Sequence, residues 1–498
     1  MLYYTSTRSG LEKKRSAEAI IQGIAQDKGL FVPESIPALD FKPEEKLGSS
    51  YRYIAFRTMR GLLPDFNDKE LLKCVDGAYD TKFEAPDIAP LIKTGKAAFL
   101  ELYHGRTAAF KDMALAILPH LLTTAIIKEK EDKQIVILTA TSGDTGKAAL
   151  EGFSNVPGTE IFVFYPKDGV SQVQERQMIT QTGKNTHVYA ILGNFDDAQT
   201  GVKKIFNDDA MKEKLREMGY KLSSANSINI GRLVPQVAYY VYAYVKMIET
   251  KAVPAGSAIN IVVPTGNFGN ILAAYYAKRM GIPVHKLICA SNKNNVLSDF
   301  ISTGVYDINR DFYVTNSPSM DILVSSNLER LLYHLSGEDV EEISYLMRDL
   351  DEKGRYSVSN SVKDGLKDFY GGFADVERTN MTIGRLYNEE HYLMDTHTAV
   401  AYAVYEDYLK ETGDNTPTVV ASTASAYKFA DSVSEAIGLD TAKDGFENIR
   451  KLHEQTGVKV PDSLRNLKTK EIRHKSVVRI DEMRKAILDA LEAVSPII

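Results

Sequence analysis

The sequence predicts an α/β protein with parallel sheets flanked by helices, preceded by a mostly helical N-terminal domain. Three observations predict this class. Short, continuous apolar runs bounded by turn residues, such as Gln134–Ala140 (QIVILTA), are typical of buried parallel strands. These runs alternate with segments of helical periodicity, which indicates a parallel sheet covered by helices on both faces. At 498 residues, the chain is also long enough to bury several cores.

The N-terminal part of the chain lacks this alternation. Amphipathic segments predict helices at residues 16–26, 51–61 and 68–79. Pro86 and Pro90 then mark a boundary, because proline interrupts regular structure. We therefore predict an N-terminal helical domain over residues 1–92 and a catalytic region of two α/β subdomains over residues 93–498.

The remaining strands are predicted from five further apolar runs, at 160–165, 187–192, 258–263, 286–290 and Thr418–Ser422. Helical periodicity follows several of these strands, so helices are expected to begin near Gly146, Ser171, Asp196 and Gly269. Residues 338–377 are polar with helical periodicity, which predicts a helical insertion at the surface.

Composition excludes several functional classes. The apolar fraction of 44% and the charged fraction of 25% are ordinary for globular proteins, and no apolar run of about eighteen residues predicts a membrane span. A net charge of -6 argues against nucleic-acid binding. The N-terminus lacks the features of a secretory signal, and Cys74 and Cys289 are too few for a disulfide framework or a zinc site. We expect a cytoplasmic protein that binds no metal, membrane or nucleic acid.

Residues 264–270 (PTGNFGN) follow a predicted strand and open a predicted helix. Gly266 and Gly269 allow the backbone to approach a ligand closely, and N–H groups at a helix start bind phosphate. The loop has no lysine, which excludes an NTPase loop, and it lacks the third glycine of a dinucleotide site. A simple strand-to-helix turn remains the alternative interpretation.

Residues 141–146 (TSGDTG) form a second such turn, rich in hydroxyl groups. It is not a P-loop, because Thr141 and Ala148 stand where that motif requires Gly and Ser or Thr. The turn suits a carboxylate or a phosphate equally well. Ordinary N-capping explains one of its hydroxyl groups but not all three.

Lys111 lies in residues 104–112 (HGRTAAFKD), at the start of an apolar-periodic segment at 113–127. A helix N-terminus is a poor place for a structural cation, but its positive field lowers the pKa of an amine that must attack a carbonyl. A solvated lysine is the alternative. A phosphate loop without nucleotide features, together with such an amine, matches the two ends of pyridoxal phosphate.

The same motifs resemble those of threonine synthases. HGRTAAFKD is similar to that family's cofactor-lysine motif, which is close to HGPT-x-AFKD. TSGDTG, NSINIGR, PTGNFGN and ASTASAYKFA also resemble threonine synthase segments and occur in the family's order, and AIIQGIAQDKGLFVP resembles its N-terminal domain. The resemblance covers nearly the whole chain and implies the type II pyridoxal-phosphate enzyme fold.

The resemblance also implies a role for individual residues. Those that would hold pyridoxal phosphate are Lys111, Phe110, Gly266, Asn267, Phe268, Gly269, Asn270 and Thr423. Those that would bind the substrate are Ser142, Asp144, Thr145, Asn226, Ser227 and Arg232. Lys111 would be the catalytic amine, and Thr423 would meet the pyridine nitrogen. An arginine with neutral donors is independently suited to phosphate. The implied reaction converts O-phospho-L-homoserine and water to L-threonine and phosphate, in a monomer or homodimer.

The chain departs from the family pattern in two places, and at a third it carries the aspartate that is usual for threonine synthases but not for other type II enzymes. Arg106 stands where proline is usual, so we expect an extra positive charge close to Lys111. Ser425-Ala426-Tyr427 replaces the frequent His-Pro-Ala, so any role of that histidine is lost or replaced. Asp144 stands where related type II enzymes carry Asn against the cofactor hydroxyl, and a carboxylate there would need a shared proton or a water molecule.

Three alternative functions remain open at this point. A phospho-lyase of similar fold would use the same lysine and loop but release 2-oxobutyrate and ammonia. Serine or threonine dehydratases fit less well, because NSINIGR supplies a second phosphate site that they do not need. A non-catalytic anion-binding protein of the same fold would lack the cofactor, yet Lys111 is intact.

Overall fold

The computed structural model describes residues 2–494, apart from the side chain of Asp196. The predicted domain ranges begin at Met1 and end at Ile498, so their first residue and last four residues lie outside this part. In chain order the strands are β1 (Tyr4–Ser6), β2 (Phe31–Pro33), β3 (Leu91–Thr94), β4 (Ala97–Glu101), β5 (Gln134–Ala140), β6 (Thr159–Pro166), β7 (Thr186–Ile191), β8 (Tyr220–Ser224), β9 (Ile259–Pro264), β10 (Val284–Ser291), β11 (Val305–Asp307), β12 (Arg355–Ser357), β13 (Phe369–Phe373), β14 (Thr418–Ser422) and β15 (Val477–Val478).

The helices complete the element order. They are α1 (Ser16–Gln22), α2 (Tyr51–Leu62), α3 (Asp68–Ala78), α4 (Asp112–Leu115), α5 (Leu118–Glu129), α6 (Asp144–Phe153), α7 (Gln172–Ile179), α8 (Phe195–Asn207), α9 (Asp209–Glu217), α10 (Ile230–Glu249), α11 (Gly269–Arg279), α12 (Val296–Thr303), α13 (Leu328–Leu335), α14 (Val340–Lys353), α15 (Asn360–Leu366), α16 (Val376–Glu390), α17 (Thr396–Thr412), α18 (Ala430–Ala436), α19 (Gly445–Thr456), α20 (Asp462–Arg465) and α21 (Met483–Ala493). Short 3₁₀ helices lie at Pro43–Lys46, Pro318–Met320, Ala426–Phe429, Leu467–Thr469 and Ile480–Glu482.

Two sheets form the body of the protein. The larger has six strands in the order β13-β10-β9-β14-β4-β3, and only its β3–β4 pair is antiparallel. The smaller has five parallel strands in the order β15-β7-β6-β5-β8. The chain makes β3 and β4, then β5 to β8 of the smaller sheet, and only then returns to the larger sheet. This confirms the predicted α/β class with parallel sheets flanked by helices.

The predicted strands agree with the structure to within two residues at each end, and Gln134–Ala140 and Thr418–Ser422 agree fully. The apolar segment at 113–127 differs, because it is divided between α4 and α5. Pro119 lies in the first turn of α5 and has no N–H to continue a helix from α4. Lys111 therefore precedes a single helical turn rather than a long helix.

The segment at 338–377 contains strands as well as the helices that the sequence predicts. It includes β12, and also β13, which pairs with β10 at the edge of the larger sheet. The predicted boundary at residue 92 falls inside β3, which also belongs to that sheet. The division into domains stays a prediction.

Helix α10 joins the N-terminal unit to the rest of the molecule. Its residues are all buried from Ile230 to Val245, so this stretch is enclosed by the protein on all sides. Tyr51 of α2 makes edge-on ring contacts with Tyr79 at 5.0 Å and with Tyr242 of α10 at 5.3 Å. One hydrophobic core therefore contains residues of the N-terminal unit and of both sheets. Across residues 2–494, no helix has the length and apolar character needed to cross a membrane.

Candidate active site

A single cavity of about 1550 Å³ brings the predicted site residues together. Its walls come from the loops at the carboxyl ends of β5, β8, β9 and β14, where α/β folds bind ligands. All fourteen predicted residues line it: Phe110, Lys111, Ser142, Asp144, Thr145, Asn226, Ser227, Arg232, Gly266, Asn267, Phe268, Gly269, Asn270 and Thr423.

Lys111 is buried on the wall of this cavity, with 8% of its surface exposed. Its Nζ atom lies 3.3 Å from Ser319 Oγ and 3.7 Å from Asp144 Oδ2. Burial lowers the pKa of Lys111, as do Lys428 and Arg232, whereas Asp144 raises it. The predicted lowering is therefore present, but its cause is burial rather than the dipole of a long helix. A neutral amine of this kind can attack a carbonyl.

The segment before Lys111 is held by the chain that follows β14. Phe110 N–H donates to Thr423 O at 2.7 Å, and Ser425 N–H donates to Ala108 O at 3.0 Å. Ala109 and Ala424 form an isolated antiparallel bridge between these hydrogen bonds. These backbone bonds fix Thr423 relative to Lys111.

Asp144 begins α6 and faces two lysines. Its Oδ1 atom lies 2.6 Å from Lys428 Nζ and accepts a hydrogen bond from Gln174 Nε2 at 3.0 Å. Burial alone would raise the pKa of Asp144, but Lys428 and Lys111 outweigh it and hold the pKa well below its usual range. The carboxylate is therefore ionised and paired with protein cations.

Ser319 is held against Lys111 by a histidine. Ser319 N–H donates to His397 Nε2 at 3.1 Å, and His397 Nδ1 lies 2.8 Å from Asp395 Oδ2. Because Nε2 accepts a hydrogen bond, the imidazole hydrogen is on Nδ1 and is donated to Asp395. Asp395 also caps α17 by accepting from the backbone N–H groups of His397 and Thr398. This chain of contacts fixes the Ser319 hydroxyl beside the amine.

The loop at 264–270 has the geometry of an anion site. Within the described residues, the backbone N–H groups of 266–270 have no hydrogen-bond acceptor. Gly266 O accepts from Ser325 Oγ at 2.6 Å, and Asn267 O accepts from Asn327 N–H at 3.2 Å. Phe268 has a φ of 61°, which turns the chain into α11. The carbonyls are thus occupied while the N–H groups stay available to a phosphate.

Asn270 supplies a further donor to this loop. Its Oδ1 atom accepts hydrogen bonds from the hydroxyl groups of Tyr239, at 2.6 Å, and Tyr240. Its Nδ2 atom is buried without a partner among the described residues. A buried amide without an acceptor costs free energy, which a bound anion would recover.

Arg232, at the start of α10, is a buried guanidinium without a carboxylate partner in the described part of the chain. Its Nη1 atom donates to Ala225 O at 2.7 Å, and its Nε atom has no partner. Burial lowers the pKa of Arg232 to about 10. Asn226 and Ser227 line the cavity beside this turn. Because buried charges are normally paired, this second donor set indicates a second anion.

Arg330 connects the two donor sets to the N-terminal unit. Its Nε atom donates to Phe31 O of β2 at 2.9 Å, and its Nη2 atom donates to Ile228 O at 2.6 Å. Nη1 donates to Asn327 Oδ1, and Asn327 Nδ2 donates to Ser227 Oγ at 3.1 Å. Arg330 therefore links β2 to the turn that carries Ser227 and to Asn327, whose N–H group binds Asn267 O.

The expectation that Arg106 brings an extra charge close to Lys111 is wrong. The Arg106 guanidinium pairs with Glu151 at 3.1 Å on the outer side of α6 and does not line the cavity. The additional cation is Lys428 instead. It follows Ser425-Ala426-Tyr427 directly in the 3₁₀ helix Ala426–Phe429, and its side chain is fully buried.

Sequence reasoning missed Ser319, His397, Gln174 and Lys428. Lys428 is the one charged residue in ASTASAYKFA, whose other residues are apolar or carry hydroxyl groups. Because an unpaired lysine is rarely buried, a lysine in such a segment indicated a buried cation with a partner. The other three lie in loops or helices without a local pattern. No group of three or more His, Cys, Asp or Glu residues that could hold a metal ion occurs within residues 2–494.

The cavity fits both ends of pyridoxal phosphate. Lys111 is a buried amine for the aldehyde. The unpaired N–H groups of 266–270 and the free Asn270 Nδ2 atom suit the phosphate. Gly266 leaves no room for a side chain there, since an added Cβ would lie 2.3 Å from Ser319 O.

Comparison with known proteins gives consistent matches over the whole chain. The family model for pyridoxal-phosphate dependent enzymes matches residues 81–424. The models for the threonine synthase N terminus and the threonine synthase C-terminal region match residues 3–79 and 398–487.

Individual relatives are named threonine synthase or threonine synthase-like 1. The threonine synthase of Saccharomyces cerevisiae is 36% identical over 514 aligned residues, which cover 96% of this chain and 95% of that protein. Human threonine synthase-like 1 is 39% identical over 443 residues, covering 86% of this chain and 59% of that protein. The crystal structure of PLP-bound threonine synthase from Brucella melitensis superposes with a TM-score of 0.87 at 33% identity, covering 100% of both chains.

Proposed function

Because this chain belongs to the threonine synthase family of pyridoxal-phosphate-dependent enzymes, we propose that it converts O-phospho-L-homoserine and water to L-threonine and inorganic phosphate. One observation carries the choice of substrate. The cavity contains two separate sets of anion donors, the loop at 266–270 and the buried, unpaired Arg232. The first set suits the cofactor phosphate, and the second suits a phosphate on the substrate.

The residues for the cofactor follow from the fit described above. Lys111 would bind the aldehyde, residues Gly266 to Asn270 would hold the phosphate, and Thr423 would offer a neutral hydroxyl to the ring nitrogen. The Phe110 ring lies beside the amine, with its centroid 5.1 Å from Lys111 Nζ. Pyridoxal phosphate, when bound, supplies an aldehyde for the substrate's amino group and a conjugated ring that stabilises negative charge on the substrate's carbon atoms. A hydroxyl partner leaves the ring nitrogen largely unprotonated.

The protein moves protons and holds the leaving group. With the cofactor and substrate bound, Lys111 Nζ would be the base that removes the α-proton and then the β-proton, and it could return a proton to the γ-carbon, which becomes the methyl group of threonine once phosphate has left. Ser142, Asp144 and Thr145 bind the amino-acid part of the substrate. Arg232, with Asn226 and Ser227, binds the γ-phosphate and stabilises its charge as it leaves. Water then adds at the β-carbon.

The test is an incubation of the purified protein with O-phospho-L-homoserine, in which phosphate, threonine, 2-oxobutyrate and ammonia are all quantified. Equal amounts of threonine and phosphate are expected. Phosphate with 2-oxobutyrate and ammonia would instead identify a phospho-lyase. Lys111→Ala is the control, and it should lose both turnover and the visible absorbance of bound cofactor. If Lys111→Ala keeps turnover, the assignment of the amine is wrong.

We further propose that the protein is cytoplasmic, acts without nucleic acid, and is a monomer or a homodimer. Two free, buried cysteines and the net charge of -6 support the first two statements. Light scattering of the purified protein measures the third.

A further inference from the structure

Two buried lysines share one carboxylate at the base of the cavity. Asp144 presents Oδ1 to Lys428 at 2.6 Å and Oδ2 to Lys111 at 3.7 Å. Both lysines are almost fully buried, with 1% of the Lys428 surface and 8% of the Lys111 surface exposed. Two ammonium groups and one carboxylate leave an uncompensated buried charge, so one of the two amines is under pressure to lose its proton.

Hydrogen-bond geometry distinguishes the two amines. Lys428 Nζ has three acceptors, which are Asp144 Oδ1 at 2.6 Å, Thr107 O at 3.0 Å and Gln177 Oε1 at 3.2 Å. Three acceptors match the three N–H groups of an ammonium. Lys111 Nζ has one hydrogen-bond partner, the Ser319 hydroxyl at 3.3 Å, and its distance to Asp144 exceeds that of a hydrogen bond.

We propose that Lys428 is a positioning residue whose ammonium group occupies the Asp144 carboxylate and thereby leaves Lys111 as the neutral amine that binds the cofactor. The inference rests on the proposed function, because it requires that Lys111 be the cofactor amine. Lys428 acts through Asp144 and does not itself line the cavity.

The other charged groups around the two lysines agree with this arrangement. Arg232, on α10, adds a second cation that lowers the pKa of Lys111, after the larger effect of burial. Asp112, on α4, is the other carboxylate near Lys428, but its oxygens already accept from Thr107 N–H and Thr107 Oγ1, each at 2.7 Å. His397 reaches Lys111 only through Ser319. No second carboxylate within the described residues contacts Lys111, so Asp144, which Lys428 occupies, is the carboxylate that could hold a proton on this amine.

The experiment measures how readily Lys111 captures the cofactor at each pH. Protein stripped of cofactor is mixed with pyridoxal 5'-phosphate, and the amine and aldehyde condense with loss of water. Borohydride then reduces the carbon–nitrogen double bond, and mass spectrometry quantifies the Lys111 adduct. In Lys428→Met, Asp144 is free to hold a proton on Lys111, so the midpoint of the pH profile should rise by about one unit. Capture below both midpoints should then be about tenfold slower than in wild type.

Two variants test the cause of the shift. Lys428→Arg keeps the charge and should keep the wild-type midpoint. Lys147→Met removes another buried lysine of the same region, one that pairs with Glu151 at 3.0 Å outside the cavity, and should leave the midpoint unchanged. A midpoint in Lys428→Met that is unchanged or lower overturns the inference, as does an equal shift in Lys428→Arg or Lys147→Met.

Circular dichroism establishes whether Lys428→Met folds. If it does not, Asp144→Asn provides the test, since removing the carboxylate should lower the midpoint, and an unchanged or higher midpoint overturns the inference. The outcome also separates the two proposals. Absence of a Lys111 adduct in wild type would overturn the proposed function together with this inference, whereas an adduct with an unmoved midpoint would overturn the inference alone.

Discussion

Arg232 and Arg330 are both buried guanidinium groups, yet their surroundings are opposite. Burial lowers the pKa of each to about 10. Arg330 donates to two backbone carbonyls and to Asn327, whereas Arg232 has one carbonyl and an unpaired Nε atom. A satisfied buried polar group stabilises a fold, while an unsatisfied one costs stability until a ligand arrives. Arg232 is thus suited to binding and Arg330 to structure.

We therefore predict opposite effects for Arg232→Met and Arg330→Met. In phosphate-free buffer, Arg232→Met with the cofactor bound should be as thermally stable as wild type with the cofactor bound or more so, and added phosphate should then stabilise only the wild type, because the cofactor already fills the loop at 266–270. Arg330→Met leaves three acceptors unpaired and should lose about 2–4 kcal/mol of stability. Differential scanning fluorimetry measures both.

In activity assays Arg232→Met should raise the KM for O-phospho-L-homoserine at least about a hundredfold while the cofactor stays bound. Loss of the cofactor would assign Arg232 to the other phosphate.

Asp112 predicts a pH effect on stability. Burial raises the pKa of Asp112 to about 6, above the ordinary value of 3.8 for an exposed carboxyl. The folded state then binds the proton more tightly than the unfolded state. The contribution of protonated Asp112 to the free energy of unfolding is therefore complete below about pH 3.8. It is lost as the pH rises through about 6, a change of roughly 3 kcal/mol. The side-chain amide of the variant Asp112→Asn cannot titrate. Between about pH 3.8 and pH 6 the free energy of unfolding of the wild type should therefore fall relative to that of the variant by this amount. Urea unfolding at several pH values measures the difference, and parallel curves would contradict the assignment.

Single residues were predictable from sequence where the local chain carries the chemistry. Lys111 and Arg232 lie in motifs that also carry polar residues and glycine, and both line the cavity. Ser319 and His397 were not predictable, because Ser319 meets Lys111 across 208 residues of chain and His397 meets Ser319 across 78. The error over Arg106 has the same origin, since the sequence places it five positions from Lys111 but does not show that it points to Glu151.

At the scale of elements, the loop between β9 and α11 depends on one close approach. A Cβ at Gly266 would lie 2.3 Å from the backbone O atom of Ser319, whereas a Cβ at Gly269 meets nothing nearer than 3.5 Å. Neither glycine has a positive φ. The two positions therefore differ in the room available for a Cβ atom and not in the sign of φ. Alanine substitutions at them make a matched pair of variants.

We predict that Gly266→Ala moves Ser319 away from Lys111, costs about 1–3 kcal/mol of stability and weakens cofactor binding. Gly269→Ala should change stability by less than about 1 kcal/mol and keep the cofactor. Visible absorbance during dialysis against cofactor-free buffer measures retention. Equal retention in the two variants would show that the contact with Ser319 is unimportant.

Elements were predictable where the apolar runs are continuous. The runs at β6, β9 and β14 are buried along their whole length and that at β5 from Ile135 onward, so their pattern is unambiguous. β8 (YKLSS) and β3 (LIKT) were missed because they are short, polar and partly exposed. Their pairing in the sheets, rather than their own composition, makes them strands.

At the scale of the whole molecule, the N-terminal unit shares one core with the catalytic region. The contact of Tyr51 with Tyr242 and the bond from Arg330 to Phe31 O both cross between them. The Tyr51 hydroxyl is buried without a partner among the described residues, so its ring carries the interaction. A shared core predicts a single cooperative unfolding transition.

We predict that Tyr51→Ala lowers the unfolding temperature of the far-ultraviolet dichroism and of the cofactor absorbance by the same amount. The loss corresponds to about 3–5 kcal/mol, as for other large core residues. Tyr51→Phe should be neutral, because it keeps the ring and removes an unpaired hydroxyl. If the dichroism loses amplitude early while the cofactor signal stays at its wild-type temperature, the N-terminal unit unfolds independently.

The interrupted order of the larger sheet has a consequence for protein synthesis. β4 is made early, but its partner β14 follows roughly 320 residues later along the chain. At ribosomal speeds of about 5–20 residues per second, the nascent β4 waits on the order of tens of seconds with the backbone groups of one edge unpaired. The smaller sheet can gain β5 to β8 in that interval, whereas Phe110 has no Thr423 to bind until β14 has emerged. The active site is therefore among the last parts of the nascent chain to form, and slow translation would lengthen the period in which chaperones must protect β4.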